Sequence, residues 1–449
     1  MKTMILGVLV KAKRAIKKVL HKLRERFLRP VLWRLDQQED MMKALADDSF
    51  RTRAMMKRDQ NKPIHVLFVC HEPALWSMFG SIYKAMENDP DFSPLVVALP
   101  YKHGTLPEGQ YKDAGMFEFC ELRKIKVVHG YDKETNEWFN PAALMPDYVF
   151  FQTPYHVFPP VWSVEQISMM ARICYVPYGG CIYAGEVDEI VNPIIFFAHV
   201  NIVFKENLYT KNKFAQRFKD KSWFYDKSIF ISGCPKLDFL VVDRSYSGII
   251  WRRGLQKNVK RILWTPRWRT SEGNCHFFDY KQFFIDFCMS HQFVDFIFRP
   301  HPLSLQNFLK TGELSLSELE LMESEYEKSS SMIIDKGGGY EDTFVTSDIL
   351  VSDMSTILFE YFATGKPIIY THRVDHFNEL GKKLSEGFYW VTNSSELNNT
   401  LEMLISGYDP LKVKREEIRQ SLVFVPDGGS GRFIKETISD DYRTYVNNI

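Results

Sequence analysis

Residues 347–370 read SDILVSDMSTILFEYFATGKPIIY, and this stretch decides the fold. Ile349, Leu350 and Val351 are a short apolar run suited to a strand buried on both faces. Ser352, Asp353, Ser355 and Thr356 crowd the turn where a helix begins, and Ile357, Leu358, Phe359, Tyr361 and Phe362 make that helix apolar. Gly365 is a helix stop, and Pro367-Ile368-Ile369-Tyr370 starts the next strand. Hydroxyls and free backbone N–H groups at a helix start, just past a strand's carboxyl end, form an anion site suited to a nucleotide diphosphate. Plain N-capping of a βαβ unit accounts for the same residues.

Four further stretches extend the pattern: Ser232-Gly233-Cys234-Pro235-Lys236-Leu237-Asp238, Arg261 to Arg269 (RILWTPRWR), Phe298-Arg299-Pro300-His301-Pro302, and Asp427-Gly428-Gly429-Ser430-Gly431-Arg432. With the 347–370 segment they occur in the order found in the CDP-glycerol glycerophosphotransferase family of teichoic-acid and capsule polymerases, and residues 147–435 resemble that family. The resemblance implies an α/β protein of two Rossmann-like, doubly wound domains in GT-B-like arrangement. The reading places a basic amphipathic arm and linker at 1–60, an acceptor domain at 61–230, a donor-nucleotide domain at 231–425, and at 426–449 a helix returning toward the first domain.

Composition narrows the setting. With 449 residues, 45% hydrophobic and 25% charged, the chain is globular and long enough for two or three domains. Its net charge of +1 hides an asymmetry: residues 1–34 carry eleven Lys/Arg against Glu25 alone, a local +10, which leaves the rest at −9. The body is therefore no general nucleic-acid binder. Val8, Ala12, Ala15, Ile16, Val19, Leu20, Leu23 and Phe27 recur at helical spacing with basic residues on the other face. That pattern fits an interfacial helix on an anionic membrane surface through residues 1–30. A solvated basic helix, or a tail that binds a partner, fits it too. No apolar run is long enough to span a bilayer. Seven cysteines without a CxxC pair argue against a disulfide framework and for a reducing, cytoplasmic setting, peripheral on the inner face of the membrane.

Ile64–Val69 and Ser93–Ala98 open a doubly wound sheet without GxGxxG, so no dinucleotide cofactor is indicated, and no metal-ligand cluster is visible. Strands at 147–151 and 173–176 end in polar loops that face the cleft. In one of them the chain departs from the family. Many members carry Trp-His-Gly where this chain has Pro177-Tyr178-Gly179, and the resemblance implies that their histidine is the base toward the acceptor hydroxyl. A phenol with a reference pKa of about 10 is a poor base at neutral pH. Either Tyr178 only positions the acceptor, or His156 or His71 takes the proton, with His156 favoured by its cleft loop.

On the donor side Arg267 and Arg269 are candidate phosphate clamps, by guanidinium fork geometry, against the alternative of a solvated basic loop. His301, between two prolines, reads as a group that stabilises or protonates the leaving diphosphate, or else as a turn histidine. Arg299, Ser352, Ser355, Thr356, Ser430 and Arg432 complete the donor set. Asp353 orients the turn, and Glu360 lies one turn further in, near a ribose hydroxyl pair. Gly337-Gly338-Gly339 lacks Walker spacing and reads as a flexible loop. The resemblance implies a CDP-glycerol or related CDP-alditol donor, a lipid-linked glycan or polymer acceptor, and release of CMP. A sugar-nucleotide glycosyltransferase on the same fold is the enzymatic alternative, and a membrane-docked scaffold the non-enzymatic one.

Overall fold

The computed structural model of the chain describes residues 62–447 apart from 103–106, 108, 178–181, 183–192, 242–245, 272, 338 and 372–375, together with helical residues 38, 41, 44–53, 55 and 56. The basic arm through residue 30 and Tyr178 lie outside the described residues.

Two parallel sheets organise the chain. The first contains β1 (Ile64–Cys70), β2 (Phe92–Ala98), β3 (Val127–His129), β6 (Tyr148–Phe151), β7 (Arg172–Tyr175), β8 (Ile202–Lys205) and β9 (Ser228–Ile231), in the order β3-β2-β1-β6-β7-β8-β9. The two-residue strands β4 (Tyr131–Asp132) and β5 (Glu137–Trp138) form a separate antiparallel hairpin. The second sheet contains β10 (Lys260–Thr265), β11 (Val294–Phe298), β12 (Met332–Ile334), β13 (Ile349–Ser352), β14 (Ile368–Thr371) and β15 (Tyr389–Val391), in the order β12-β11-β10-β13-β14-β15. The central strands β6, β7, β8, β11, β13 and β14 are buried along their whole length. Their continuous apolar runs follow from having both faces covered by helices.

Each sheet has one switch point, where the strand order reverses and neighbouring loops part to opposite faces. In the first it falls between β1 and β6, and in the second between β10 and β13. In open α/β sheets the crevice beyond the carboxyl ends at that point is where ligands bind. The 347–370 segment supplies β13, the helix Ile357–Phe362 and β14, so the stretch that fixes the fold also lines the second switch. Gly365 stops this helix with φ +74°, a conformation that favours glycine.

The closing helix Ser430–Asn447 crosses back to the first sheet. Ile434, Ile438 and Tyr442, four residues apart and therefore on one face, enter the first domain's core beside Ile82 and Met86. Asp441 accepts from Arg172 Nε at 2.8 Å and from Nη2 at 3.0 Å, and the Tyr148 hydroxyl donates to it at 2.7 Å. The helix start is capped from far away in sequence. Asp238, 3% exposed, accepts from the Ser430 N–H at 2.7 Å and the Gly431 N–H at 2.8 Å. A Cβ on Gly431 would lie 2.5 Å from the Ser81 carbonyl carbon, so glycine is what lets this helix touch the first domain's Gly80–Glu87 helix.

Asp238→Ala leaves two buried helix donors without an acceptor. Urea denaturation should show a loss of about 1–3 kcal/mol, and an unchanged midpoint would show that the cap contributes nothing.

Candidate active site

At the second switch β10 and β13 end in register, with Thr265 opposite Ser352. Each lends its hydroxyl to the other: Thr265 Oγ1 lies 2.8 Å from Ser352 Oγ, which also reaches the Thr265 carbonyl at 2.9 Å. Ser352 is therefore the buried last residue of a strand rather than part of the open turn, and its hydroxyl is spent within the protein.

Asp353 follows, 1% exposed. Its Oδ2 accepts from the backbone N–H of Arg267 at 2.9 Å and of His276 at 3.0 Å, while the Thr371 hydroxyl donates to Oδ1. One carboxylate thus ties the loop after β10, the start of the helix Phe277–Ser290, its own turn and the end of β14. Burial raises its pKa, and the nearby His276 and the hydrogen bonds pull the other way. The carboxylate is buried and turned inward onto these protein donors.

The open side of the crevice carries the cations and hydroxyls. Arg267 is half-buried, and its Nη1 donates to the Met354 carbonyl at 2.8 Å, which holds the guanidinium over the signature turn. Arg269 sits on the indole of Trp268, its guanidinium carbon 4.2 Å from the ring centre. The other neighbour of that indole is the exposed His301 imidazole, 6.0 Å away and tilted by 30°. The Leu303 N–H donates to His301 Nδ1 at 3.2 Å, which assigns the proton of the neutral ring to Nε2. Burial, and then the Arg267 charge, lower the His301 pKa, so the ring is neutral at pH 7 and presents an N–H. Ser355 is half-buried and Thr356 exposed at the start of the helix Ile357–Phe362, where Thr356 makes no side-chain capping bond.

Other expected donor residues lie elsewhere or are engaged. Arg299 Nη1 pairs with buried Asp335 and Nη2 donates to the Gly337 carbonyl at 2.8 Å, so it braces the glycine loop. The Gly337 N–H donates to Asp335 Oδ1 at 2.8 Å, and Gly338 lies outside the described residues. Ser430 is fully buried at the Asp238 cap, and Arg432 pairs at the surface with Glu436 at 2.8 Å. Glu360, 3% exposed, pairs with Lys236 at 3.2 Å. Sequence reading assigned no role to Thr265, Trp268, His276, Thr371 or Lys236. The equal position of Thr265 and Ser352 at the ends of two predicted strands was the signal available for the first.

At the first switch Gln152 locks β1 to β6. Its Oε1 accepts from the N–H groups of His71 and Glu72, both at 2.9 Å, and its Nε2 donates to the Glu72 carbonyl at 2.9 Å. His71 lies between Tyr101, 4.6 Å ring to ring, and Phe158 at 5.3 Å, and burial lowers its pKa to about 4. His156 is exposed on the following loop, beside a small hollow lined by Phe151, Tyr155, Phe158, Trp162 and Phe196. Among the described residues no group of His, Cys, Asp and Glu could hold a metal ion, and no helix is long and apolar enough to cross a membrane.

Two parallel sheets, each with a switch in strand order and joined by a helix that returns to the first, define a GT-B-like α/β protein. Residues 199–386 match the family model described as CDP-Glycerol:Poly(glycerophosphate) glycerophosphotransferase. The chain is accordingly an enzyme of that phosphotransferase type. The match includes His301 and the 347–370 signature and leaves out His156, Tyr178 and the 427–432 motif. Solved structures of similar fold include the wall teichoic acid polymerase TagF, at 15% identity over 93% of this chain and 96% of that one, with a TM-score of 0.56. A TagF variant soaked with CDPG aligns at 14% identity over 88% and 98% of the two chains, TM-score 0.56. The UDP-GlcNAc 2-epimerase from Neisseria meningitidis bound to UDP-GlcNAc aligns at 11% over 84% and 100%, TM-score 0.55. No curated protein matches the chain.

Asp353→Ala strands two backbone donors and a hydroxyl in the interior. It should cost about 2–4 kcal/mol in a denaturation curve, and Asp353→Asn, which keeps an acceptor oxygen, about half of that. Equal losses would mean that the carboxylate acts only by filling space.

Proposed function

We propose that the chain moves a glycerol-phosphate or related alditol-phosphate unit from a CDP-linked donor to a hydroxyl of a membrane-linked glycan or polymer, releasing CMP. The observation that carries this reading is the convergence of Arg267, the His301 Nε2–H, Ser355 and Thr356 around the second switch, in the part of the chain that matches the family. A nucleoside diphosphate needs such an array of cations and N–H or O–H donors. The neighbouring TagF soaked with CDPG supports the choice of nucleotide.

The acceptor oxygen attacks the β-phosphorus. The new O–P bond forms as the bridging P–O bond breaks, and the electron pair leaves with CMP. Catalysis rests on positioning and on neutralising charge that builds on the phosphoryl oxygens and the leaving group. Arg267 and Arg269 supply positive charge, and neutral His301 supplies a hydrogen bond rather than a proton. The proton of the acceptor hydroxyl passes to a first-domain group, for which exposed His156 is our candidate, with Tyr178 positioning the acceptor. The donor is the only small-molecule group this reading requires. Residues 1–30 would hold the enzyme on the anionic inner face of the membrane, within reach of a lipid-linked acceptor.

The test is incubation with CDP-glycerol, CDP-ribitol and a panel of UDP-sugars, with membrane lipid as acceptor. Release of CMP is expected; release of UDP or CDP would move the chain to the sugar-nucleotide glycosyltransferases, and release from no donor would favour a scaffold. His301→Ala should lower kcat by about 100-fold or more with the fold intact by circular dichroism, and near-normal turnover would remove its role. Since the His301 pKa is lowered and its neutral form is the working one, kcat/KM should hold level as pH falls to about 6.5, the ordinary imidazole value, and decline only below it. A decline with rising pH through that range would instead make His301 a proton donor. Deleting residues 1–30 should abolish sedimentation with anionic vesicles and leave turnover on a soluble acceptor; continued sedimentation would refute the anchor.

A further inference from the structure

The first domain sends a side chain into the core of the second. By sequence Ile182 follows β7, yet it is fully buried in the second domain's core with Phe377, Leu380 and Leu384. Its carbonyl accepts from the Asn378 N–H at 3.0 Å. Asn378 caps the helix Glu379–Ser385, its side chain accepting from the Gly381 N–H at 2.9 Å. A Cβ on Gly381 would lie 2.1 Å from the Ile182 carbonyl oxygen, so glycine is what admits this close approach. The same helix start meets the first domain's helix Leu208–Phe218. The Tyr209 hydroxyl lies 3.4 Å from Glu379 Oε2, and Lys213 pairs with that carboxylate at 3.2 Å.

This helix start also stands behind the donor crevice. The Phe377 ring packs on Tyr370 at 5.2 Å, and Tyr370 is paired with Ser352 of β13. Thr371, the next residue, donates to the Asp353 carboxylate. An exposed ion pair such as Lys213–Glu379 holds two bodies weakly, whereas a buried side chain among close-packed neighbours fixes their separation. We propose that Ile182 and Gly381 are positioning residues for the transfer step, which fix the first-domain chain after β7 against the donor domain and so set the distance from the acceptor hydroxyl to the donor phosphorus. This rests on the donor reading above and adds to it the contact that aligns the two substrates. Neither residue belongs to the donor set, so their loss falls on transfer and not on nucleotide binding.

The test measures two quantities on the full chain: the dissociation constant for CDP, by calorimetry, and kcat for CMP release from CDP-glycerol with membrane lipid as acceptor. Gly381→Ala and Ile182→Ala should each lower kcat by roughly 10- to 100-fold, the effect of a misplacement of about 1 Å, and leave the CDP constant unchanged. Wild-type turnover in both variants would overturn the proposal. So would a loss of CDP affinity as large as the loss of turnover, which is what general damage to the second domain would give. If both variants fail to fold, Ile182→Val decides, because removing one methyl group loosens the same contact. A few-fold drop in kcat with unchanged CDP affinity supports the proposal, and no drop overturns it. A wild type that neither binds CDP nor releases CMP sinks the donor reading itself. Binding and turnover that these substitutions leave intact sink only this inference.

Discussion

The buried carboxylate of Asp353 is the constraint on which the donor side depends. A charge so deeply placed is tolerated only where donors surround it, and here they come from three separate segments: the Arg267 and His276 N–H groups and the Thr371 hydroxyl. Satisfying that charge fixes the loop after β10 against the turn after β13. With the loop fixed, the Arg267 guanidinium is held on the Met354 carbonyl, and its charge in turn helps keep His301 neutral. The chemistry assigned to the crevice follows from one inward-facing acid that need not touch the ligand.

A second constraint joins the two halves. Asp238 and the 427–432 motif are distant in sequence, yet they form one structure, the capped start of the closing helix wedged against Ser81. The Arg172–Asp441 pair secures the other end of that helix on the first sheet. Two motifs of the ordered set thus set the relation between the sheets, while the other three build the second crevice.

Much of this was legible in the sequence because it is local. The apolar run of β13, the polar turn, the helix and the Gly365 stop are neighbours along the chain, and their order alone specifies a βαβ unit. The N-terminal domain's β1 and β2 were legible for the same reason. The misplaced residues fail for a shared cause: their partners lie far off in sequence. Nothing near Ser430 announces that its N–H will meet Asp238, nothing near Arg299 announces Asp335, and Ser352 looks like a turn residue until β10 places Thr265 opposite it. A hydroxyl or guanidinium in a motif states what a residue can do, and only the tertiary arrangement states whether it is already occupied.

Hydrogen exchange with and without CDP tests the central claim most directly, because it reports where the nucleotide sits without depending on turnover or on an acceptor. The account predicts slowed exchange at 265–269, 300–303 and 353–360, around the second switch, with little change at 71–79 and 152–158. Protection confined to the first-domain loops would contradict it.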